Sequence, residues 1–189
     1  NPPERPLSPF PRDVVFVIDS SKSMGDAKVQ AARDAVLVEV QQLEPGARWN
    51  VVHFKDAPLF FSGDYSLAGD PGSLGLLGSY FKDLRASGQT DVFSSLRSVV
   101  RSIGGAQASR PVQIYLISDG RPTTGLRDSR QIIDLVSREN GAQASVLSVG
   151  AGSRVDRDLL SYLAYWNRGQ ARIVGGVREI GSSLHELVA

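Results

Sequence analysis

The chain has 189 residues, 41% hydrophobic and 22% charged, with a net charge of +1; that suffices for one domain with a substantial core, and the near-neutral balance with scattered arginines argues against nucleic acid or an anionic membrane surface as partner. With no cysteine and only two histidines, His53 and His185, far apart in sequence, the chain has no disulfide, thiolate metal site or cysteine nucleophile, and neither a catalytic triad nor a multi-histidine zinc site is expected. No apolar run reaches the roughly 18 residues that a membrane span needs, no signal peptide is recognisable, and a first residue of Asn1 is expected of a piece excised or processed from a longer protein.

Five prolines up to Pro11 make residues 1–12 an extended linker, leaving 13–189 as one domain. The run Asp13–Ile18 is almost wholly apolar and β-branched, as suits a central parallel strand covered on both faces. It stops on Asp19-Ser20-Ser21-Lys22-Ser23, which puts three hard oxygen donors, Asp19, Ser21 and Ser23, on one tight turn. Hard oxygens without nitrogen or sulfur suit Mg²⁺, Mn²⁺ or Ca²⁺ rather than zinc or copper. The same residues also suit an ordinary turn whose serine or aspartate caps the next helix. Two later segments favour the metal.

From Asp26 to Leu43 the apolar residues Val29, Ala32, Val36, Val40 and Leu43 recur at spacings of three and four, predicting a helix that Glu44-Pro45-Gly46 ends. Trp49–Phe54 is the second strand and Pro58–Phe61 a short edge strand, where a leading proline is tolerated. A helix starting around Asp70–Ser73 presents Leu74, Leu77, Tyr80, Phe81 and Leu84; the loop Ser87-Gly88-Gln89-Thr90-Asp91 and a helix over Val92–Ile103 follow. Val112–Ser118 is again an apolar strand ending on aspartate, Asp119-Gly120. Then come a helix (Ser129–Asn140), a strand (Ala144–Val149), a helix (Asp156–Trp166), a strand (Ala171–Val174) and a closing helix (Val177–Val188).

This alternation predicts an α/β fold, a doubly wound and mostly parallel sheet of about six strands with one short antiparallel edge strand and helices on both faces. Ligand sites of such sheets lie at the carboxyl ends of the strands. Asp19 and Asp119 both fall there.

Asp19-x-Ser21-x-Ser23, Thr90-Asp91 and Ser118-Asp119-Gly120 together resemble the metal-ion-dependent adhesion site of von Willebrand factor type A domains. The resemblance runs from about Asp13 to Val188, and Pro45–Phe54 is similar to the subgroup of inter-alpha-trypsin inhibitor heavy chains and related bacterial proteins. It implies a Rossmann-like fold. It further implies that Ser21 and Ser23 ligate an ion directly, that Thr90 does so directly or through water, and that Asp19 and Asp119 hold metal-bound waters. The ion expected is Mg²⁺, with Mn²⁺ or Ca²⁺ as alternatives, and its open position would take water or the Asp or Glu of a protein partner. The function implied is a non-enzymatic interaction module, extracytoplasmic, secreted or cell-surface, monomeric as an isolated domain, without nucleic acid or membrane insertion. A structural or assembly module that binds its partner without metal is the alternative reading. A metal-dependent phosphoester or ester hydrolase is a third, against which no residue stands out as a general base.

Lys22 occupies a position where this family often has a small residue: its ammonium repels the ion, pairs with an acidic ligand or points to solvent. Arg121 and Arg127 flank the Asp119 loop, as partner contacts or as a solvated rim. Gly150-Ala151-Gly152-Ser153 reads as a strand-to-helix turn, since no dinucleotide fingerprint is completed. Trp49 and Trp166 are assigned to packing, and Asp56, Asp91 and Asp128 to turns or caps.

Overall fold

The structure is a computed structural model that describes residues 11–104 and 110–189. The linker expected over 1–12 lies almost entirely outside those residues. Seven strands, β1 (Asp13–Asp19), β2 (Arg48–Phe54), β3 (Pro58–Phe60), β4 (Ser66–Leu67), β5 (Val112–Ile117), β6 (Ala144–Ala151) and β7 (Ala171–Val174), form one sheet. Six helices, α1 (Gly25–Gln42), α2 (Pro71–Phe81), α3 (Val92–Gly104), α4 (Ser129–Asn140), α5 (Arg157–Trp166) and α6 (Glu179–Val188), flank it.

The order β3-β2-β1-β5-β6-β7 puts β1 at the centre, parallel to β2 and β5. β5 and β6, and β6 and β7, are also parallel. Alternate residues of β1 face opposite layers. Val14, Phe16 and Ile18 meet the core beneath α1, α2 and α6, while Val15 and Val17 meet the core beneath α3, α4 and α5. All of β1 is buried, so each such side chain contributes about 1.5–3 kcal/mol. The apolar stripe expected on α1 is the buried one, from Val29 through Val40, with Leu43 buried just past the helix end.

Several expectations are corrected. The expected antiparallel edge strand is β3, which pairs with Val52–Phe54, and the two-residue β4 adds to it on Arg48–Trp49 of the same strand, β2. Between them the Asn50 amide replaces the ladder, donating to Ser62 O at 2.9 Å and accepting from Val51 N at 2.8 Å. β6 continues through Gly150 and Ala151, which were expected in a turn; a Cβ on Gly150 would meet Leu160 Cδ1 at 2.7 Å, so glycine lets α5 pack close over that strand. Trp166 is 66% exposed rather than packed. The buried stripe of α5 is Leu159, Leu160, Leu163 and Ala164, and Asn167, not Trp166, takes its next position. Trp49 is buried as expected, stacked on Phe61 with 5.3 Å between ring centroids.

Candidate metal centre

One step beyond the last β1–β5 pair, Ile18 with Ile117, come Asp19 and Ser118 at the carboxyl edge of the sheet. Ser118 Oγ donates to Asp19 Oδ2 at 2.6 Å and accepts from Gly120 N at 2.9 Å. The other Asp19 oxygen accepts from Ser21 N at 2.9 Å, which curls the chain back on itself immediately after the strand. The turn continues through Met24 N to Ser21 O (3.1 Å) and Gly25 N to Lys22 O (3.2 Å) into α1. Within it Ser21 Oγ and Ser23 Oγ stand 3.0 Å apart.

Two further loops are tied to this turn. Ser87 N donates to Ser20 O at 3.0 Å and Lys22 N to Gly88 O at 3.3 Å, fixing the loop that carries Thr90. Thr90 N donates to Thr123 Oγ1 at 2.8 Å, and Thr123 N and Thr124 N return to Thr90 O at 2.9 and 3.2 Å. The three motif segments are thereby held at one edge. Gly120, at φ +67°, makes the Asp119 turn possible: a side chain there would be strained and would press on Leu160 Cγ at 3.0 Å. Asp91 and Asp128 cap α3 and α4 by accepting from Ser94 N and Gln131 N at 2.9 and 2.8 Å, as expected. Asp56 accepts from Gln89 N at 3.2 Å.

Asp19 has no solvent exposure, and burial pushes its carboxyl up to about 6, against the lowering hydrogen bonds from Ser118 and Ser21 and with a further push from the charge of Asp119. Thr90 Oγ1 is buried without a hydrogen-bond partner among the described residues, which costs roughly 1–3 kcal/mol. A hard divalent cation fits both features, since it favours the carboxylate form and accepts a hydroxyl oxygen. Among the described residues no three His, Cys, Asp or Glu side chains cluster as metal ligands.

Lys22 is exposed and in no ion pair among the described residues. The cation that does reach the site is Lys28, unremarked in the sequence: its Nζ lies 4.0 Å from Asp119 Oδ2 and 3.5 Å from Ser23 O. Its signal was a lysine within the first turn and a half of the helix that follows the motif. Arg121 donates its backbone N to Asp119 Oδ1 at 3.2 Å. Its side chain joins Pro122, Arg127, Arg154, Val155 and Asp156 around a concavity of about 460 Å³.

A family model described as the von Willebrand factor type A domain matches residues 12–173. Inter-alpha-trypsin inhibitor heavy chain H6 of Homo sapiens is 29% identical over 176 residues, 89% of this chain and 13% of its own length. Heavy chain H1 of Sus scrofa is 28% identical over 172 residues, 88% of this chain and 19% of its own length. The chain thus spans less than a fifth of these relatives. Among solved structures, a von Willebrand factor type A protein from Catenulispora acidiphila superposes with a TM-score of 0.85 at 21% identity, covering 96% of this chain and 43% of that one. Proximal thread matrix protein 1 from the mussel byssus, described with a zinc-occupied metal-ion-dependent adhesion motif, gives 0.72 at 17% identity, covering 95% and 47%. At these identities the two structures speak for the fold, and the family match covers most of the sequence. The chain belongs to the von Willebrand factor type A domain family.

Proposed function

We propose that this domain is a protein-interaction module whose partner contact runs through a divalent cation, Mg²⁺ by preference, held at Asp19, Ser21, Ser23, Thr90 and Asp119. The observation that carries this reading is the buried Thr90 hydroxyl, without a hydrogen-bond partner among the described residues, on the loop tied to the Asp19 turn. Ser21 and Ser23 supply direct hydroxyl ligands, Thr90 a direct or water-bridged one, and the two carboxylates hold the ion's waters. Such an ion supplies an electrophilic position for one carboxylate of a partner protein. Arg121, Arg127 and Arg154 support an acidic partner: they line the neighbouring concavity and form no ion pair among the described residues. Its one carboxylate, Asp156, is already engaged by Ser129 Oγ at 2.8 Å and Leu159 N at 2.9 Å.

Binding rather than turnover suits the histidines. His53 is engaged by Ser20 Oγ at 3.2 Å and by the Tyr80 ring, and His185 by Glu39 on α1, whereas a general base needs a ring free to meet the substrate. We place the domain within a longer extracytoplasmic or cell-surface protein. The alternative of metal-independent assembly is favoured by one observation, the Lys28 ammonium beside Asp119.

Selecting a displayed random-peptide library on the immobilised domain in Mg²⁺, with elution by chelator, separates the two. The expected outcome is enriched peptides that share an acidic residue and lose binding when it becomes its amide. Peptides retained through chelator and indifferent to that change would support metal-independent assembly instead.

A further inference from the structure

We infer that Lys28 is a built-in counter-cation for Asp119, one that competes with divalent cations for that carboxylate and lowers the affinity of the site for them. The inference rests on the metal reading above and concerns the regulation of that same site.

The two Asp119 oxygens have different partners, a neutral backbone amide on one side and an ammonium on the other. Oδ1 accepts from Arg121 N at 3.2 Å, and Oδ2 faces the Lys28 ammonium at 4.0 Å. The pair is shielded, with side-chain exposures of 18% for Lys28 and 3% for Asp119, so solvent screens it less than a surface pair. Lys28 rises from the N-terminal part of α1, whose backbone dipole adds positive potential at the same edge. Its stem reaches back over the motif turn to Ser23 O. The ammonium lies beside Gly152, 3.7 Å from where a Cβ would stand.

An incoming cation recruits Asp119 and meets this ammonium. Whatever Asp119 gives to Lys28 in the metal-free protein is withdrawn when the ion binds, so the two cations are negatively coupled and the coupling is reciprocal. The unbranched lysine stem lets the ammonium withdraw without moving α1. Lys22, nearer the motif in sequence, has no such geometry, since it is exposed.

Two measurements on the chelator-stripped protein test this. Calorimetric titration with MgCl₂ compares the parent with Lys28→Met, which keeps an unbranched stem, and Lys28→Arg, which keeps the charge. A double-mutant cycle of Lys28→Met with Asp119→Asn reads urea midpoints without metal. The expected results are Mg²⁺ binding about tenfold tighter in Lys28→Met, affinity within about threefold of the parent in Lys28→Arg, and non-additive midpoints in the cycle. Equal or weaker Mg²⁺ binding by Lys28→Met overturns the inference while the metal reading stands, and additive midpoints overturn it as well. Heat from Lys28→Met alone supports it in its strongest form. No heat from either protein overturns the metal reading, and with it the role of Lys28 in affinity.

Discussion

Ser118 Oγ donates to Asp19 Oδ2 at 2.6 Å while accepting from Gly120 N at 2.9 Å, so one hydroxyl links the ends of β1 and β5 and orients the buried carboxyl of the site. Ser118→Ala removes both bonds. The expected loss is about 1–3 kcal/mol in urea denaturation, together with weaker Mg²⁺ binding. An unchanged urea midpoint would show that the hydroxyl does not orient Asp19.

Thr90 separates stability from metal binding. Its hydroxyl is buried without a partner among the described residues, so Thr90→Val, of nearly the same shape, is expected to raise the metal-free stability by about 1 kcal/mol. The same variant should lose most of the stabilisation that saturating Mg²⁺ gives the parent. Thermal melts with and without Mg²⁺ read both effects, and a variant that gains as much from Mg²⁺ as the parent would remove Thr90 from the ligand set.

At the opposite edge, Asn140 and Asn167 form a buried clamp. Asn140 Nδ2 donates to Ala144 O at 2.8 Å and Asn167 Oδ1 at 2.7 Å, its Oδ1 accepts from Ala144 N at 3.0 Å, and Asn167 Nδ2 donates to Leu163 O at 2.7 Å. Asn140→Ala leaves several buried groups unpaired and should cost about 2–3 kcal/mol in urea, with Mg²⁺ affinity unaltered.

His53 gives the domain an acid sensitivity. Burial, with a smaller push from Lys55, lowers its ring from 6.5 to about 4, so the folded protein keeps it neutral. Between those values the unfolded chain binds a proton that the folded one does not, and stability falls as pH drops from about 6.5 towards 4. Lowering the pH from 7 to 5 should therefore move the parent's urea midpoint downward relative to that of His53→Gln, the opposite contribution of the raised Asp19 being common to both, and equal shifts in the two proteins would contradict the assignment.

The sequence carried the central strands and the motif turns plainly, because a fully buried β1 is apolar from Val14 to Ile18 and ends where Asp19 begins the turn. It could not carry β4, two residues without alternation, whose place depends on the Asn50 side chain standing in for backbone. The Asn140–Asn167 clamp was hidden for the same reason, since a buried asparagine looks like a turn residue until its partner is placed. Lys28 was missed because helical spacing shows which face of α1 is apolar, but not that a polar stem from its N-terminal part reaches back to Asp119. Trp166 shows the converse, a large aromatic one position off the buried stripe of α5.

The most direct test of the site is a calorimetric Mg²⁺ titration of the chelator-stripped domain beside Asp19→Ala and the double variant Ser21→Ala/Ser23→Ala, each first shown to be folded by circular dichroism. One-to-one saturable binding in the parent and none in either variant is the expected result. No heat in the parent, or the same isotherm in the variants, would contradict a cation held by these residues.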